Sequence, residues 1–108
     1  MINGGMMFSK RDIVVIDFPF SDLVHSKRRP VVILGEKGDD FIVCAITSNP
    51  AVKGIPLFFE EGNLPFESTI KYWQIQTIVK SRVEKKIARI TKKCYAECVS
   101  GINELFVV

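Results

Sequence analysis

Histidine is nearly absent from this chain: His25 is the only one in 108 residues. That excludes a metal site or an acid–base pair built on two histidines. Cysteine is scarce and odd in number, at Cys44, Cys94 and Cys98. Met1–Phe8 has no basic opening, no long apolar segment and no cleavage-like site, so no signal peptide is expected. Together these features point to the reducing cytoplasm rather than to a disulfide scaffold. The longest apolar stretches, such as Ile13–Ile16 and Phe41–Ile46, fall far short of the ~20 residues of a membrane span. Gly4-Gly5 opens no phosphate-cradling loop. Leucine is rare at 5, whereas Ile and Val together number 25. β-Branched residues fit pleated strands better than helices, so strands should dominate.

What is present is globular. Hydrophobic residues make up 47% and charged residues 25%, which excludes disorder and suits one domain with one core. The expected organisation is a loose lead-in over 1–10 and a single folded domain over 11–108. The net charge is only +3, but residues 71–93 carry eight basic groups against one acid. Such a block is either a surface for a polyanion or a solvated edge.

Alternation around Val14 and Ile16 predicts a strand over Asp12–Phe18. A loop follows from Pro19 through the polar run Ser21–Lys27. Pro30–Glu36 and Phe41–Thr47 are two apolar runs joined by Lys37-Gly38-Asp39-Asp40, which is hairpin chemistry. Ile55–Phe59 reads as a short strand, Glu61–Pro65 as a turn, and Ser68–Val79 as the longest strand. On plain alternation Ile70, Tyr72, Gln74, Gln76 and Ile78 share one face of it. Lys80–Val83 reads as a helical turn and Lys86–Ile90 as a last strand. Cys94, Cys98, Ile102 and Leu105 then recur at helical spacing, with Thr91 as N-cap. Short strands without βαβ alternation, ending in one helix, predict a mainly β fold: a small antiparallel barrel covered by a C-terminal helix.

Chemistry-bearing candidates are few. Cys94 and Cys98 lie one helical turn apart, a spacing that suits two buried small hydrophobes better than a metal site. Asp22, His25 and the nearby serines do not make a triad by proximity in sequence. The stronger signal is Lys27-Arg28-Arg29-Pro30 leading into Val31-Val32-Ile33-Leu34. Pro30 pushes Arg29 towards extended backbone, and arginine suits bidentate phosphate binding. Hairpin pairing brings the start of one strand to the end of the next. Arg29 should therefore lie near Thr47, Ser48 and Asn49.

Four segments, in order, carry a resemblance. They are Asp12–Val15 through Phe18-Pro19-Phe20-Ser21-Asp22-Leu23; Lys27-Arg28-Arg29-Pro30-Val31-Val32; Ala45-Ile46-Thr47-Ser48; and Gln74-Ile75-Gln76-Thr77-Ile78-Val79-Lys80-Ser81-Arg82. Over roughly residues 10–105 the chain resembles the PemK/MazF toxin family. Gln76 and Val79 stand where the family's Q-I-R-T-I-D pattern has Arg and Asp. The 22–26 stretch lacks the glutamate of an S-E-Q-type loop and is closer to the F-P-F-T-D-L version.

The resemblance implies a cytoplasmic, homodimeric toxin of a type II toxin–antitoxin pair on an SH3-like barrel. It implies an endoribonuclease that cuts single-stranded messenger RNA at short sequences with no metal or other cofactor. The expected partners are that RNA and a cognate antitoxin, with DNA contacted only through the antitoxin and no membrane contact. The family's catalytic arginine and threonine fall on Arg29 and Thr47. Asp22 and His25 are the candidate bases, and His25 has the unperturbed pKa best suited to proton transfer near neutrality. Lys27, Arg28, Ser48, Asn49, Gln74 and Gln76 are the residues expected to hold RNA. A barrel that binds nucleic acid or protein without cutting, an inactive toxin-like regulator, is the alternative.

Overall fold

The computed structural model describes residues 7–19 and 26–108. Seven strands, β1 (Asp12–Pro19), β2 (Ser26–Lys37), β3 (Asp40–Thr47), β4 (Ile55–Pro56), β5 (Phe59–Gly62), β6 (Thr69–Val79) and β7 (Val83–Ile90), precede one helix, α1 (Lys92–Glu104). A single 3-10 turn, Lys80–Arg82, links β6 to β7. The strands form one curled antiparallel sheet in the order β4-β6-β3-β2-β1-β7-β5. The sequence predicts a mainly β barrel with a C-terminal helix, and the sheet curls into a half-barrel of that kind. Among the described residues no helix is long and apolar enough to cross a membrane.

The sheet carries apolar side chains on both faces. Ile13, Val32, Cys44, Ile70, Ala88 and Ile90 pack with Cys94 and Cys98 of α1. Val14, Ile16, Val31, Ile33, Phe41 and Val43 form the other cluster, with Phe8, Ile78 and Val83 against it. Adjacent residues such as Ile13 and Val14, or Val31 and Val32, thus go to opposite faces, as the period of two requires. Burying each of these side chains contributes on the order of 1.5–3 kcal/mol. That is why β1 to β3 read as nearly continuous apolar runs.

Helix α1 starts where expected. The Thr91 hydroxyl accepts from the Cys94 amide at 3.0 Å, and the Tyr95 hydroxyl donates to the Leu34 carbonyl at 2.6 Å. The buried stripe is shorter than predicted. Cys94 and Cys98 are fully buried, but Leu105 lies beyond the sheet and is exposed.

Three other elements differ from the sequence reading. β2 begins at Ser26, four residues before Pro30, because β1 continues to Pro19 and offers Lys27, Arg28 and Arg29 a ladder. The expected strand over Ile55–Phe59 is split. Ile55-Pro56 pairs with β6, whereas Phe59–Gly62 pairs with β7, on the opposite edge of the sheet. Glu61 and Gly62 are therefore strand rather than turn.

The third difference lies within β6. Cys44 pairs with Ile75 but Ala45 pairs with Lys71, so three extra residues are accommodated on the β6 side. An odd insertion exchanges the faces. Ile70 and Tyr72 belong to the helix-side cluster and Ile78 to the other. The two halves of the strand serve opposite cores, which is why neither face looks apolar in the sequence.

Two glycines with positive φ test these junctions. Gly38 (φ 57°) takes the first place of a two-residue hairpin loop with open space around it, where a II′-type turn favours glycine. Gly62 (φ 74°) lies against β7: a Cβ there would fall 2.4 Å from the Ile87 carbonyl oxygen and 2.7 Å from the Ala88 Cα. Gly38→Ala should cost about 1–2 kcal/mol from its backbone conformation alone. Gly62→Ala should cost more, because β5 must also move off β7. Urea unfolding checks the order, and equal midpoints for the two variants would refute it. Burial pushes the Cys44 thiol from 9.0 up to about 12, so the folded protein favours the protonated form. Its contribution to stability is present below pH 9.0 and is lost as pH rises towards about 12. Cys44 should resist iodoacetamide at pH 8 in the folded protein and react once unfolded, as peptide mass mapping would show.

Candidate functional site

The β2–β3 ladder runs from the Gly38-Asp39 turn to the opposite end of the sheet with Val31 paired to Ala45. Carried two residues further, that register sets Arg29 across from Thr47. Both line one cavity of about 690 Å³. Lys27, Arg28, Ser48 and Asn49 line it as well, with Val15, Ile46 and Ile87 contributing apolar surface and Lys85 a further cation. Among the described residues no carboxylate lines the cavity, so its field favours an anion.

Local bonds set the shape of the hydroxyl side. The Thr47 Oγ1 accepts from the Asn49 amide at 3.1 Å, and the Asn49 Oδ1 accepts from the Ala51 amide at 2.9 Å. These side-chain-capped turns follow directly from Thr-Ser-Asn-Pro. They leave the Thr47 hydroxyl proton available for donation. On the cation side, the Arg28 Nε donates to the Glu84 Oε1 at 2.6 Å while most of the Arg28 side chain stays exposed. Lys27 and Arg29 are exposed too.

The other predicted residues fall elsewhere. Gln76 lines a separate cavity of about 310 Å³ with Asp17, Thr77 and Arg82. Gln74 is exposed within the three-residue insertion of β6. Asp22 and His25 lie outside the described residues. Cys94 and Cys98 sit in the core, where the Cys94 thiol donates to the Pro56 carbonyl at 3.4 Å.

The basic block over 71–93 is not a uniform surface. Lys80 pairs with Glu36, and Lys86 with Glu61 and the buried Asp12. The Arg89 Nη1 lies 2.7 Å from the Asp12 carboxylate. The Glu61 hydrogen bond holds the Lys86 ammonium above its ordinary value. Partners from distant segments absorb much of the +7.

Sequence reasoning missed one wall of the cavity: Leu64, Pro65 and Phe66. Phe66 is 73% exposed. The available signal was an aromatic residue directly after turn chemistry, where no alternation calls for one.

A family model described as the PemK-like, MazF-like toxin of type II toxin-antitoxin system matches residues 9–106. No individual curated protein matches the chain. Among solved structures, the MazE-MazF complex (Form-II) of Deinococcus radiodurans superposes with a TM-score of 0.74 at 16% identity, covering 91% of this chain and 94% of that one. The Mycobacterium tuberculosis toxin MazF-mt6 gives 0.63 at 20% identity, covering 86% and 95%. An endoribonuclease in complex with its cognate antitoxin from a mycobacterial species gives 0.66 at 9% identity, covering 94% and 100%. At such identities these likenesses establish a shared fold, and the family model extends the match to sequence over nearly the whole chain. This chain belongs to the PemK-like, MazF-like toxins of type II toxin–antitoxin systems.

Proposed function

We propose that the protein is the toxin of its pair and an endoribonuclease that cuts single-stranded RNA at this cavity without a metal. The observation that carries the reading is the convergence of Arg29 and Thr47 on one cation-lined cavity at the end of the β2–β3 ladder. RNA supplies its own nucleophile, the 2′-hydroxyl. The protein must take that proton, stabilise the charge on a pentavalent phosphorus, and assist departure of the 5′-oxygen. Arg29 presents a planar fork of donors to the phosphate oxygens. Thr47, whose oxygen already accepts from Asn49, has its hydroxyl proton to give to a non-bridging oxygen. An arginine keeps its proton throughout, which makes it a charge stabiliser rather than a proton donor. Asp22 and His25 are the two candidates for the base. Lys27, Arg28, Ser48 and Asn49 hold the neighbouring backbone, and Gln74 and Gln76 take part only if the strand extends to their side of the sheet.

The solved relatives support one further feature, and the exposed apolar surface a second. Complexes of such toxins with MazE or a cognate antitoxin exist, and an acidic partner segment suits the Arg29 cavity by charge. A second copy of the chain suits the exposed Trp73, Ile75 and Val79 of β6 and the exposed Leu105–Val108. Val43 and Ile70 belong to the core and are not part of that surface.

Arg29→Ala and Thr47→Ala should each lower cleavage by about 10²–10³, as loss of a transition-state hydrogen bond does, while circular dichroism stays native. Thr47→Ser should retain activity, and Arg29→Lys should lose it. Replacing the 2′-hydroxyl at the scissile nucleotide with hydrogen should abolish cleavage, and EDTA should change nothing. Unimpaired cleavage by either alanine variant, or strict dependence on a divalent ion, returns the protein to a non-catalytic binding barrel. Light scattering should give twice the 12.2 kDa chain mass; a monomer at every concentration refutes the dimer.

A further inference from the structure

Among the described residues Phe66 belongs to neither hydrophobic core cluster. It is 73% exposed, yet its backbone is held in place. The Phe66 carbonyl accepts from the Ser68 hydroxyl at 2.9 Å, and the neighbouring Leu64 packs against the helix-side core while its amide donates to the Asn63 Oδ1. Pro65, immediately before it, has its φ fixed by its ring. An exposed phenyl ring on an anchored loop loses little conformational entropy when something stacks on it, since only two side-chain torsions remain to be fixed.

Its position gives the ring a partner chemistry. Phe66 lines the same cavity as Lys27, Arg28, Arg29 and Lys85, and it also lines a second, smaller cavity of about 260 Å³ behind it. It is thus a partition with cations on one side. A ligand fitting such a site combines an anion with a flat apolar face, and a nucleotide of a single strand has both. The cavity volume, about 690 Å³, falls within the range of sites that take a small ligand or a short piece of a polymer.

We propose that Phe66 is a specificity-determining stacking platform, holding the base next to the scissile phosphate against its ring while Arg29 holds that phosphate. The proposal rests on the RNA-cutting function proposed above and names what positions its substrate. Asn49 lies on the same cavity with its Oδ1 committed to the Ala51 amide. Its two Nδ2–H donors are left for the RNA, backbone or base edge, which favours groups that accept hydrogen bonds. An apolar side chain of an antitoxin segment is the competing occupant. The cation-rich lining and the projecting ring favour a base, because a peptide anchor is usually enclosed by apolar walls.

The experiment uses the full chain. Cleavage ends are first mapped on a long single-stranded RNA with the wild-type protein. Oligonucleotides spanning that position, with a 2′-deoxy scissile nucleotide, then report binding without cleavage. Stacking on an aromatic side chain accounts for about 5- to 150-fold in Kd per base. Phe66→Ala should weaken binding by that factor and Phe66→Leu by nearly as much, while Phe66→Trp should preserve it. One abasic nucleotide beside the scissile position should weaken wild-type binding similarly and add little to the loss in Phe66→Ala, as coupled partners do. The salt dependence should be the same for wild type and Phe66→Ala, since phosphate contacts are untouched. Unchanged RNA affinity in Phe66→Ala, or abasic losses that add fully to it, overturns the platform. So does a Phe66→Ala variant that binds RNA normally but loses the antitoxin. Failure of the wild-type protein to cut or bind RNA overturns the underlying reading, and that result appears before Phe66 is tested.

Discussion

The pairing register of β2 with β3 is the constraint on which the rest depends. It begins at the two-residue loop Gly38-Asp39, passes one irregularity between Ile33 and Gly35, and then runs in step to Val31 and Ala45. A slip of one residue would turn every side chain to the other face. Val31, Ile33 and Val43 would change cores with Val32 and Cys44 and lose their packing partners, at about 1 kcal/mol each. The turn's own preference is small beside that sum, so the core holds the register and glycine merely permits it. Arg29 and Thr47 come to line one cavity because apolar residues elsewhere on the same strands leave one solution.

Charge is distributed by the same logic. Asp12 is the one buried charged residue among those described. It accepts from the Ser9 amide at 2.9 Å and pairs with Arg89 and Lys86, tying the start of β1 to β7. A buried carboxylate without such partners would be strongly destabilising. Glu36, Glu60 and Glu61 take up further cations on exposed edges, where each pair adds little stability. Their effect is local: they remove positive charge from the β5 and β6 edges. Among the described residues no carboxylate lines the cavity, and of its cations Arg28 pairs with Glu84, so a chain of modest net charge still gathers positive groups at one site.

Family membership and site geometry bear on different questions. The family match covers nearly the whole chain, while the superposed toxins share 9–20% identity with it. A fold survives such divergence because patterning and approximate volume, rather than particular core residues, specify it. A site demands particular atoms. The candidate site draws on stretches far apart in the chain: Lys27–Arg29 on β2, Thr47–Asn49 at the end of β3, the Leu64–Phe66 loop, and Lys85 on β7. Only the first two are linked by a hairpin.

Local chemistry in the sequence was enough to determine most of the elements. Alternation marked β1, β2 and β3, Lys37–Asp40 marked the hairpin, and Thr91 with Cys94 and Cys98 marked the helix and its start. Arg29 and Thr47 were legible for the same reason, since a hairpin relates its strand ends by residue count alone. What the tertiary structure decided depends on partners distant in sequence. β6 changes faces midway because three extra residues must be fitted opposite the β3 ladder, and Gln76 lines a different cavity from Arg29. Residues 55–62 divide between opposite edges of the sheet because β6 and β7 each offer a free edge. The basic block loses much of its charge to acids up to 77 residues away. Phe66 reaches the cavity wall by way of a loop whose path no local rule encodes. Periodicity and turn chemistry act over a few residues, whereas face exchange, edge pairing and charge neutralisation are settled only when the whole sheet closes.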